Sequence, residues 1–164
     1  MSLPEYAIAL GDVYAEMGET EKAKEQYDVV RSMDKLLREN GVDTDLEIAL
    51  FNADHDIDLQ TSLEKARAAY DARPSIHAAD TLAWTLYKTG NYKEAQEYSS
   101  EALKLETRDP LKLFHAGMIS KALGEEQQAR TYLQQAVDLN PRFSLLYADE
   151  AADSLKSVKA GGED

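Results

Sequence analysis

The stretch TLAWTLYKTGNYKEAQEYSSEALKL, Thr81 to Leu105, decides how the chain folds. It carries one glycine, Gly90, and alanines at Ala83, Ala95 and Ala102, where larger apolar residues would bury more surface. Apolar residues recur at three- and four-residue spacing on both sides of Gly90, the period of a helix and not of a strand. The stretch therefore reads as two helices joined by a short turn. Gly90 ends the first helix, where a left-handed residue satisfies the last carbonyls with no Cβ penalty. Asn91 is expected to cap the second helix through its side-chain oxygen. Ala83 and Ala95 let the two backbones approach, and Ala102 does the same where the second helix meets the next unit. A larger side chain at these crossings would cost about 1–3 kcal/mol through overpacking.

The pattern repeats. Shifting residues 76–109 by 34 places Gly90 on Gly124, Ala95 on Ala129, Tyr98 on Tyr132, Ala102 on Ala136 and Leu105 on Leu139, with Ala83 on Gly117. The matches fall at turns and at small-residue positions, as expected of a helical-hairpin array. The N-terminal segment carries the same signature in Leu10-Gly11, Tyr14, Gly18, Ala23 and Tyr27.

These residues resemble the tetratricopeptide repeat. The resemblance covers roughly residues 4–141 and implies an all-α, right-handed superhelix of helical hairpins in a single domain, 1–164. Repeats are expected at 4–41, 44–74, 76–109 and 110–141. The unit at 44–74 is irregular. Ala66 and Tyr70 fit its second helix, but its first helix lacks a turn glycine. Ala23 to Ala66 is 43 residues and Ala66 to Ala95 is 29, so the second helix of unit one reads as overlong and that of unit two as short. Residues 142–159 are expected to form a capping helix whose Leu145, Leu146, Ala148, Ala152 and Leu155 cover the apolar end of the stack. Ala160 to Asp164 are expected to fray.

A first helix in such an array gives one stripe to its partner helix and another to the concave side. The second stripe is His77, Asp80, Trp84, Tyr87 and Lys88 in unit three. In unit four it is Leu111, Phe114, His115, Met118 and Lys121; in unit two it includes Phe51 and His55. A groove lined by Phe51, His77, Asp80, Trp84, Tyr87, Phe114, His115 and Met118 would bind a peptide or helix of a partner protein. The other reading has the same side chains packing against neighbouring repeats. Some members of the family clamp a C-terminal carboxylate with basic groove residues. Units one and two offer Asp12, Glu16 and Asn52 instead, so a receptor of that type is disfavoured.

Other chemistry finds little support. The net charge of −13 repels phosphate backbones and anionic lipid, which argues against nucleic acid and membrane-surface partners. No apolar run approaches 18 residues, and nothing at the start reads as a signal peptide, so a cytoplasmic location is favoured for the chain as given. Cysteine is absent, which removes disulfides and thiol chemistry. The three histidines, His55, His77 and His115, fall on successive first helices and would offer zinc or nickel ligands only if they converged. The acidic stretch at Asp54, Asp56 and Asp58 has Leu59 where a calcium loop needs glycine and Lys65 where it needs glutamate. It reads as a turn, followed by a capping box at Thr61–Glu64. Motifs of hydrolases, kinases, dinucleotide enzymes and zinc proteases are missing, and no cofactor is expected. The sequence thus points to a non-enzymatic interaction scaffold. The alternatives are a self-associating solenoid, forming a homo-oligomer, and a metal-linked binding protein.

Overall fold

The computed structural model describes residues 3–160, and within them every regular element is a helix. In order these are α1 (Leu3–Glu16), α2 (Thr20–Glu39), α3 (Asp45–Asp54), α4 (Leu59–Ala72), α5 (Ile76–Lys88), α6 (Tyr92–Ala102), α7 (Pro110–Ala122), α8 (Glu126–Leu139) and α9 (Ala148–Ala160). Consecutive helices pair as α1–α2, α3–α4, α5–α6 and α7–α8; the last three hairpins stack in turn, α9 packs on α8, and the first hairpin meets α3 more sparsely, through Ala7, Val30 and Phe51. The chain is an all-α, helical-hairpin solenoid. The fraying expected of residues 161–164 lies outside the described residues, and Ala160 closes α9.

The small residues sit where the hairpins need them. Ala83, Ala95, Ala129 and Ala136 have no exposed surface, and Ala102 has 1%. At Gly117 on α7 the approach is closer still, since an added Cβ would lie 2.7 Å from Leu133 Cγ on α8. Gly90 has φ +82, as the turn between α5 and α6 requires. Its amide bonds to the Tyr87 carbonyl and that of Asn91 to Leu86, closing the helix end. The Asn91 side chain does not cap α6. Its Nδ2 donates instead to Thr89 Oγ1, because the residue has φ −88 and ψ 57 and not the extended backbone of an N-cap. True caps occur at Ser75, which accepts from the Ala78 amide, and at Asp109, which accepts from those of Leu111 and Lys112.

Unit two departs from the sequence reading in two ways. Its second helix, α4, has 14 residues, the same as α8. The shortening lies in the connection, where residues 73–75 alone join α4 to α5 while 103–109 join α6 to α7. The capping box at Thr61 is also absent. α4 starts at Leu59 behind a left-handed Asp58, φ 40, and Ser62 Oγ donates to the Asp58 carbonyl. The overlong helix is α2, with 20 residues and only Ala23 and Val30 buried.

Three apolar clusters run along the stack. The first hairpin and α3 share Ala7, Val30 and Phe51; α3–α6 share Ala49, Leu63, Leu82, Leu86 and Ala95 with Ile119; and Trp84, Phe114, Met118 and Leu133 join Tyr147, Ala151 and Leu155 of the C-terminal segment. Among the described residues, none covers the outer side of α1 in this way. Tyr6, Leu10 and Val13 of α1, with Met17 just beyond it, form an exposed stripe there, at 60, 42, 38 and 67%.

Candidate functional site

Three first helices bring their aromatic and polar side chains to one place. From α5, Trp84 stacks on Tyr87 at 4.8 Å and on His115 of α7 at 4.2 Å, with Phe114 at 5.7 Å. From the end of α3, Asp54 accepts a hydrogen bond from Trp84 Nε1 at 2.9 Å. His115 Nδ1 lies 3.2 Å from both carboxylate oxygens of Asp80. The helical period puts Asp80, Trp84 and Tyr87 on one face of α5, and the 34-residue repeat puts Phe114 and His115 beside them on α7.

A residue outside the four hairpins completes the cluster. Tyr147 lies just before α9, and its ring stacks on Phe114 at 4.9 Å and meets Trp84 edge-on at 5.4 Å. Its hydroxyl donates to the Asp54 carboxylate at 2.9 Å, with a longer contact of 3.3 Å to the Asp54 carbonyl. Burial pushes the Asp54 carboxyl above its ordinary range, against the opposing pull of His115 and of its two donors. Burial also raises the Tyr147 hydroxyl, and the Asp54 charge raises it further. The phenol is therefore a neutral donor throughout the physiological range.

Of the sequence-predicted groove residues, Asp80, Trp84, Tyr87, Phe114, His115 and Met118 gather here. Phe51 does not. It belongs to the neighbouring cluster, 5.5 Å from Tyr27 and 4.6 Å from His55. His77 is exposed and stands apart, with Nδ1 3.4 Å from Lys112 Nζ. Phe51, Asp80, Trp84, Phe114, His115 and Met118 are buried, and Tyr87 is half-buried. The exposed aromatic lining expected from helical periodicity is covered here, because Tyr147 and α9 lie over it. Sequence reasoning assigned residues 142–159 to the end of the stack and missed Tyr147. The available signal was the pair Phe143 and Tyr147, four apart, around Ser144, whose hydroxyl accepts from the Leu146 and Tyr147 amides.

The histidines do not converge. His115 is held by Asp80, while His55 Nε2 lies 2.8 Å from Asp12 and its Nδ1 2.7 Å from the Phe51 carbonyl. Among the described residues no group of three or more His, Cys, Asp or Glu side chains could hold a metal ion. The metal-linked reading thus loses the geometry it needed. No helix among them is long and apolar enough to cross a membrane.

A solenoid of stacked helical hairpins defines a helical repeat protein. The tetratricopeptide repeat model matches residues 4–28, 76–109 and 113–143, more than half of the chain. The chain belongs to the tetratricopeptide repeat family. Residues 44–74 fall outside the match, in keeping with the irregular second unit. The chain is also similar to the photosystem I assembly protein Ycf3 of Rippkaea orientalis, 44% identical over 58 residues. That similarity covers 33% of this chain, and the chain spans about a third of the length of the curated relative it matches.

Proposed function

We propose that the chain is a protein-interaction scaffold whose partner segment, a peptide or helix, lies along the face formed by α3, α5 and α7. The observation that carries this reading is the meeting of Asp54, Trp84 and Phe114, one from each of three successive first helices. A hydrophobic core needs no carboxylate among its rings, and burying one is costly unless it has partners. A binding face uses such a group to orient a ligand among apolar contacts. The scaffold reading assigns no reaction to the chain.

Family membership supports a protein partner in general terms. The name of the Rippkaea relative supports a narrower version, in which the chain holds a client while a larger complex is put together. A stable subunit would co-purify with its complex in fixed ratio, whereas an assembly factor would be found only on incomplete forms.

The test is affinity capture from the native extract with the wild-type chain and with a Tyr87→Ala variant. The Tyr87 side chain is only half-buried, so the variant should keep its helical circular dichroism. Loss of the captured partner is the expected result. Equal capture by both chains would move the interaction off this face.

A further inference from the structure

The face formed by α3, α5 and α7 is occupied by a piece of the chain itself. Residues 140–147 leave α8, run without helical structure and deliver Tyr147 onto it. A terminal cap has only to cover apolar surface, and Ala151, Leu155 and Val158 of α9 do that. The Tyr147 hydroxyl does something a cap does not require. It donates to a carboxylate 93 residues away, in unit two. The fit is also incomplete, because His115 Nε2, wholly buried against the Trp84 ring, has no hydrogen-bond partner. A spare buried donor or acceptor is costly, and a better-matched occupant would satisfy it.

We propose that Asp54, Trp84 and Phe114 form a tyrosine-binding subsite, filled in cis by Tyr147, and that a partner segment presenting an unmodified tyrosine displaces it. This rests on the groove reading above and names its ligand chemistry. The Asp54 carboxylate selects a neutral phenol, since a phosphorylated ring would set negative charge against it. An apolar ring of the same shape would leave the carboxylate with only the Trp84 donor. The cis occupant lowers the apparent affinity for any competitor by the fraction of time the subsite is closed.

Trp84 is the only tryptophan, so its emission reads the subsite directly. The probe is a synthetic peptide copying residues 141–158, titrated against the full wild-type chain and a Tyr147→Phe chain. The variant lacks the bond that holds the cis occupant, and a hydrogen bond to a charged acceptor is worth roughly a factor of ten or more. The peptide should therefore bind Tyr147→Phe about tenfold more tightly than wild type. Peptides with phenylalanine or phosphotyrosine at the same position should lose at least that factor. Equal binding of the tyrosine and phenylalanine peptides, equal binding to the two chains, or no binding would overturn the proposal. A second measurement uses Tyr147→Ala with 4-methylphenol and toluene, which reproduce the two side chains. The phenol should restore the wild-type Trp84 emission at lower concentration than toluene, and equal potency counts against the subsite. If partner capture survives Tyr87→Ala while the peptide results hold, the tyrosine subsite stands but the captured partner binds elsewhere, and the groove reading fails for that partner.

Discussion

His55 has acceptors at both ring nitrogens, the Asp12 carboxylate and the Phe51 carbonyl. Burial, the largest single influence, would lower its pKa, but those two bonds together with the charges of Asp12 and Asp54 outweigh it and raise the pKa above 6.5. The folded state therefore favours the imidazolium. Its stabilising contribution is fully present below 6.5 and is lost as pH rises through the folded value. Urea midpoints of wild type minus His55→Gln, measured across that range, should shrink with rising pH, and a pH-independent difference would contradict the assignment. Gly117→Ala should cost about 1–3 kcal/mol, because the new methyl meets the Leu133 side chain. Trp84→Ala should cost about 3–5 kcal/mol in the same assay, since the ring is 1% exposed and its loss leaves a cavity. At this scale the sequence was most legible where backbone geometry leaves one choice. Gly90 and the buried alanines follow from turn and crossing constraints alone. Tyr147 was illegible because no period connects it to Asp54, and its ring is one of those packed on Trp84.

Adjacent second helices are tied on their outer side. Arg67 of α4 makes a two-pronged pair with Glu94 of α6 at 2.6 and 2.7 Å, and Tyr70 donates to Glu101 at 2.6 Å. The Glu101 carboxylate holds the Tyr70 hydroxyl up to about 12, so the phenol stays protonated. Arg67 and Glu94 remain 40 and 38% exposed, and exposed pairs contribute about 0–1 kcal/mol. Arg67→Met should therefore shift the thermal midpoint by no more than a few degrees, and the shift should fade in 1 M salt, where screening shortens to roughly 3 Å. A large, salt-insensitive loss would mean that the pair sets the helix spacing. Element boundaries were legible where a turn glycine stood, as at Gly90 and Gly124. Unit two was not, since its turn uses left-handed Asp56 and Asp58 in place of glycine.

Along the whole molecule, packing is uneven. α5 buries nine of its 13 residues, whereas α2 buries Ala23 and Val30 out of 20. Repeat arrays open from their weaker ends, because each unit is held only by its neighbours. Amide exchange should accordingly be fastest in α1 and α2 and slowest in α5 and α7. Uniform protection would show that the array opens all at once. The two ends also differ in kind. α9 turns Asp149, Glu150, Asp153 and Lys156 to solvent, while α1 presents Tyr6, Leu10 and Val13, with Met17 just after it. An array with one greasy end and one charged end has a polarity. If copies of the described chain meet through the α1 stripe, the contact pairs that stripe with itself and is twofold. Such a contact closes on itself, so sedimentation across a concentration series should show a mass that stops at twice that of the single chain, and larger species would place the contact elsewhere.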